Sequence, residues 1–107
     1  SWQARTELES IEQQFAHLPV LARQRGRALV LPPSADPDPA NAAAAPAIVL
    51  PENWLIRFDR PLRVRASGLC EGAQITLEHE DRRYRRQILA PFCLSRELGD
   101  EQEEAAP

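Results

Sequence analysis

Leu8-Glu9-Ser10-Ile11-Glu12-Gln13-Gln14-Phe15-Ala16-His17-Leu18 decides the reading of this chain. Leu8, Ile11, Phe15 and Leu18 recur at steps of three, four and three residues, which places them on one side of an α-helix. Gln, Glu, Ala, Leu and Arg dominate the surroundings, and all are good helix formers. The pattern predicts a helix over residues 3–25. Arg23 and Arg25 fall in its last turn, where cations suit the helix dipole, and Gly26 stands where a left-handed cap would close it. Glu7, Glu9, Glu12, Gln13 and Gln14 form the outer face. Pro19 is discordant, because a mid-helix proline removes a hydrogen bond and crowds the preceding turn at about 3 kcal/mol. Leu18, Leu21 and Ala22 continue the stripe past it, so a kink is expected rather than two separate helical pieces.

Beyond Gly26 the hydrophobic period shortens to two. Residues 27–31, 47–50, 53–58, 61–66, 73–79 and 83–90 read as strands. The clearest is Leu62-Arg63-Val64-Arg65-Ala66, apolar on one side and arginine on the other, the signature of a half-buried strand. Residues 32–46 carry five prolines and are expected to be a mobile loop within the domain. With 107 residues there is room for one small domain, placed at residues 1–96. A meander with one apolar face needs cover, and the helix must supply it. The expected fold class is α+β: an N-terminal amphipathic helix packed on a small antiparallel sheet of about four to five strands.

The net charge is −3, and all 13 basic residues are arginine. From Glu97 to Glu104 five of eight residues are acidic, so residues 97–107 are expected to be a solvated, disordered tail. No run approaches the roughly 20 apolar residues of a membrane span, and no signal peptide is visible. The chain starts without methionine, directly into a helical pattern.

Enzymatic signatures are missing from the sequence: no P-loop, dinucleotide fingerprint, zinc-protease motif or nucleophile elbow occurs. His17 and His79 lack metal-ligand spacing, and no carboxylate pair stands out for acid–base work. No enzyme activity, catalytic residue, cofactor or metal is therefore expected. Arg82, Arg83, Arg85 and Arg86 flank Tyr84, which could suggest phosphate contacts with nucleic acid. Against that, the net charge is negative, and Arg83 and Arg85 share one face of a hairpin. A contact with acids of a neighbouring subunit, or a solvated hairpin, fits better.

Cys70 lies in the turn Ser67-Gly68-Leu69-Cys70-Glu71-Gly72, and Cys93 follows Pro91-Phe92 at a strand end. One hairpin separates them, so a disulfide is expected, with two buried free thiols as the alternative. Closing that loop would contribute roughly 3 kcal/mol and would place the domain in an oxidising compartment, the periplasm or outside the cell.

Leu21-Ala22-Arg23-Gln24-Arg25-Gly26-Arg27, followed by Ala28-Leu29-Val30-Leu31, resembles the helix-to-first-strand junction of type IV pilin-like proteins. Leu50-Pro51-Glu52-Asn53-Trp54 and the turn before Ile75-Thr76-Leu77 are similar to the family's later strands. Ser67-Gly68-Leu69-Cys70 with Pro91-Phe92-Cys93 resembles a cysteine-looped tip. The resemblance covers residues 1 to about 95 and lies nearest the minor, H-type pseudopilins of type II secretion. Asp36, Asp38 and Asn41 do not reproduce the calcium loop of the major pseudopilin, which points to a minor component. The resemblance implies a pilin-like fold and a structural role in the short periplasmic filament that moves folded proteins across the outer membrane. It also implies a processed, N-terminally methylated helix anchored in the inner membrane. Partners would be other pseudopilins, the secretion machinery and the secreted substrate protein, with Glu9, Glu12, Arg83 and Arg85 as subunit contacts. The alternative is a minor pilin that binds DNA or another ligand.

Overall fold

The computed structural model describes residues 2–32 and 47–102. Helix α1 spans Trp2–Arg25. The strands are β1 (Leu29–Leu31), β2 (Trp54–Phe58), β3 (Leu62–Val64), β4 (Ala73–His79), β5 (Arg82–Leu89) and β6 (Leu94–Gln102). They form two antiparallel sheets, one ordered β1-β3 and the other β2-β4-β5-β6. The arrangement is α+β, as the periodicity predicted. No helix among the described residues is long and apolar enough to cross a membrane.

The helical stripe becomes the centre of the core. Ala4, Leu8, Ile11, Phe15, Leu18, Pro19 and Ala22 are buried along one side of α1. Ile11, Phe15 and Leu18 have no exposed surface, and each such side chain contributes about 1.5–3 kcal/mol relative to exposure. Against them lie Trp54, Ala73, Ile75, Leu77, Tyr84 and Ile88 of the larger sheet and Leu29, Leu31, Leu62 and Val64 of the smaller one. The helix runs through Pro19 without a break. Its C-terminus closes as expected: Gly26 adopts φ 66°, its N–H donates to the Arg23 carbonyl at 3.2 Å, and the Arg27 N–H donates to Ala22 at 3.3 Å. Those paired bonds satisfy two carbonyls that a helix end leaves open.

Strand register explains the faces. β4 and β5 pair as Ala73↔Ile88, Ile75↔Arg86 and Leu77↔Tyr84 on the inner face, with Glu78↔Arg83 and Thr76↔Arg85 outside. In the small sheet, Leu29↔Val64 and Leu31↔Leu62 present all four apolar residues to the core. The turn after β3 is tied by Gly68 N–H to Arg65 O at 2.8 Å, and the Arg23 side chain lies directly over Gly68.

Four expectations need correction. First, residues 47–50 join no strand. The Gln14 amide clasps Val49 instead, donating to its carbonyl at 2.8 Å and accepting from its N–H at 2.7 Å. One side chain thus supplies what a neighbouring strand would have. Second, a single sheet was expected, but the short strands at 29–31 and 62–64 separate as a pair of their own. Third, residues 97–102, assigned to a disordered tail, form most of β6. Composition suggested solvation, yet an edge strand needs only backbone partners and tolerates charged side chains. Fourth, strand bounds move: 27–31 becomes Leu29–Leu31, 53–58 becomes Trp54–Phe58, 83–90 becomes Arg82–Leu89, and 61–66 shortens to Leu62–Val64 because the Arg65 backbone is taken up by the turn, bonded to Gly68 and Leu69. The expected loop, apart from Pro32, and residues 103–107 of the tail lie outside the described residues.

Gly72 sits at φ 82°, and a Cβ there would lie 2.8 Å from the Ile88 carbonyl oxygen and 3.2 Å from the Ala90 nitrogen. Gly26 shares the left-handed conformation but has open space around it. Gly72→Ala should therefore cost about 2–4 kcal/mol, strain plus clash, whereas Gly26→Ala should cost about 1 kcal/mol, strain alone. Urea unfolding of both variants checks this. Equal losses would mean that the approach of β5 to Gly72 is not rigid.

Candidate functional site

β5 alternates inward Tyr84, Arg86 and Ile88 with outward Arg83, Arg85 and Gln87; of the four arginines around Tyr84, Arg82 and Arg86 share the inward parity, but Arg82 is exposed at the strand's start and one is buried. That residue is Arg86, only 4% exposed. Its Nε donates to Glu12 Oε2 of α1 at 3.2 Å, and its Nη1 donates to Asp100 Oδ1 of β6 at 2.6 Å. Nη1 also reaches the Arg85 carbonyl at 3.0 Å, and Ser95 Oγ donates to Glu12 Oε2 at 2.7 Å. Burial acts against the Arg86 charge. The hydrogen bond to Asp100, the charges of Asp100 and Glu12, and the bond to Glu12 outweigh it, so its pKa is raised from an already high value. This junction joins the helix to two strands. Its hydroxyl and carboxylates are engaged with Arg86 and with one another.

Glu12 therefore faces inward. It was expected on the outer face of the helix as a subunit contact, but its carboxylate is held within the fold by Arg86 and Ser95. Position 12 lies beside Leu8, Ile11 and Phe15 on the helical wheel, close enough to the stripe to turn in. Glu9 remains exposed on the solvent side. Arg83 and Arg85 share the outer face of the large sheet, as the alternation required, and stand half-buried there. Glu9 and the two arginines consequently occupy opposite sides of the molecule. Arg57 of β2 joins the same outer face and pairs with Glu78 at 3.1 Å.

Cys70 and Cys93 form a disulfide with Cα atoms 5.5 Å apart. The Cys70 N–H donates to the Pro91 carbonyl at 2.9 Å, so the two segments also meet through their backbones. Both cysteines are fully buried, while neighbouring Leu69, Phe92 and Leu94 are exposed. The disulfide thus holds an apolar tip beyond the sheet.

A cavity of about 220 Å³ opens near the start of α1, lined by Gln3, Ala4, Glu7, Glu52, Asn53, His79 and Glu80. His79 stacks on Trp54 at 4.5 Å, and the Trp54 indole N–H donates to Glu7 Oε1 at 3.2 Å. The lining is acidic and polar. Among the described residues no group of three or more His, Cys, Asp or Glu is placed to hold a metal ion. His17 is exposed on the helix.

No protein-family model matches the chain, and neither does any curated protein or any solved structure.

Glu12→Lys and Glu9→Lys should separate the two roles. Reversal at Glu12 opposes a buried guanidinium and should cost about 2–3 kcal/mol, less than a fully enclosed pair because Glu12 keeps 27% side-chain exposure. Reversal at exposed Glu9 should change stability by less than about 0.5 kcal/mol. Denaturant midpoints of the two variants decide it, and indistinguishable midpoints would count against the junction.

Proposed function

We propose that this chain is a structural subunit of a pilin-like filament, of the kind represented by minor, H-type pseudopilins of type II secretion. The observation that carries this reading is the architecture: a 24-residue helix leads the chain and lays one side on antiparallel sheets whose far end is closed by a disulfide. The sequence resemblance at residues 21–31 and around the two cysteines runs in the same order along the chain. Its place would be the periplasm, anchored in the inner membrane by a methylated segment upstream of Ser1. Its partners would be other pseudopilins and the secretion machinery, and its role to support export of folded proteins across the outer membrane.

The positions of the contact residues suit such a role. Glu9 and the Arg83–Arg85 pair lie on opposite faces of one subunit. Patches on opposite faces favour head-to-tail contacts, which extend into filaments, over a closed two-fold dimer. The helix face of one subunit would meet the outer sheet face of a neighbouring pilin-like subunit. A second reading has its own observation: Arg57, Arg83 and Arg85 on one sheet face could meet phosphates, as in a DNA-binding minor pilin.

Glu9→Arg in the full-length gene should lower secretion of folded exoproteins in cells. The purified domain should unfold within about 3 °C of the parent, because an exposed helix charge contributes little. Normal secretion from the variant would remove the helix face as a contact, and normal secretion after gene deletion would remove the assembly role. Salt-sensitive DNA binding by the domain would favour the second reading.

A further inference from the structure

β6 is the longest strand, yet none of its described side chains enters the core. Its two leucines, Leu94 and Leu98, are 54% and 37% exposed. It occupies the edge of the large sheet, and its ladder with β5 is interrupted by a register shift between Arg85 and Arg86. Beyond that ladder, Asp100 reaches Arg86 at 2.6 Å and Ser95 reaches Glu12 at 2.7 Å. By contrast, β4 and β5 bury Ala73, Ile75, Leu77, Tyr84 and Ile88. Over residues 94–100, where its side chains are described, β6 is therefore attached by backbone bonds and by a polar junction (Asp100 to Arg86, Ser95 to Glu12), without apolar anchorage of its own.

Both kinds of attachment are cheap to reverse. Ladder bonds exchange for bonds to water with a small net loss each. When Asp100 departs, Arg86 regains water on the vacated side, and that hydration offsets much of the lost Coulomb attraction. Opening cannot spread past Cys93, which is fully buried, bonded to Cys70, and donates its N–H to the Leu89 carbonyl at 2.8 Å.

We propose that β6 is a releasable strap. It opens and closes as one unit while the rest of the domain stays folded, with the Arg86–Asp100 contact as its latch and the Cys70–Cys93 disulfide as its fixed end. Opening bares the backbone edge of β5. The proposal stands whether or not the chain is a filament subunit.

Native-state hydrogen exchange of the complete chain, followed residue by residue by NMR, tests it. The ladder-bonded amides of β6 should exchange at one common rate, at least about 100-fold faster than those of Ile75 and Leu77. Asp100→Asn should speed the β6 amides about tenfold further, as expected for a lost charge-assisted hydrogen bond, and leave Ile75 and Leu77 unchanged. Three results would overturn the proposal: β6 in the parent protein exchanging as slowly as β4, β6 rates graded residue by residue from Gln102 as in simple fraying, or Asp100→Asn accelerating every amide alike. An Asp100→Asn chain that does not fold would count the same way, since a strap can be lost without losing the core.

Discussion

Everything in this domain leans on one side of one helix. Ile11, Phe15 and Leu18 are removed from solvent entirely, and both sheets turn their apolar residues toward that stripe. Small sheets of this kind cannot bury a face alone, because a two- or four-stranded layer leaves one surface to water. The helix resolves this for both layers at once. Glu7 of the helix accepts from the Trp54 indole of the large sheet, and Arg23 near its C-terminus lies over Gly68 in the turn after β3. The Gly26 cap then reverses the chain so that Leu29 and Leu31 return onto the same core.

Within that apolar frame sits a charged exception. Arg86 occupies an inward position between Tyr84 and Ile88, where a leucine would have packed. A buried ion pair of this kind adds little net stability over an apolar substitute, but it makes wrong arrangements costly, since any that keeps Arg86 buried away from both carboxylates strands a charge. Here the cluster orients three elements together. Glu12 sets the rotation of α1, Arg86 belongs to β5, and Asp100 sets how β6 lies along the edge.

The same residue types perform different work on the outside. Arg83 and Arg85, three residues and one residue before Arg86, face the opposite side of the sheet, and Glu9 faces away on the helix. The molecule thus compensates Arg86 inside while presenting separate polar surfaces on two sides. The disulfide supports this division by tying the far end of the molecule covalently, so that the exposed apolar tip at Leu69 and Phe92 is held without a large core beneath it.

Helix, class and disulfide were legible from residue order alone. The three-four-three spacing of Leu8 to Leu18, the alternation through 73–79 and the two cysteines around one hairpin are local patterns, and local patterns survive translation into structure because backbone period and chain connectivity enforce them. What escaped were facts about partners. That residues 47–50 are held by Gln14 rather than by a strand, and that an acidic run completes a sheet, depends on which backbone groups lie nearby after folding. The fates of Glu12 and Arg86 were half visible: parity in β5 already pointed Arg86 inward, but only its meeting with Glu12, 74 residues away, and with Asp100 made that burial tolerable. Period is a property of the chain, whereas charge compensation is a property of space, and it was decided only when the helix closed over the sheet.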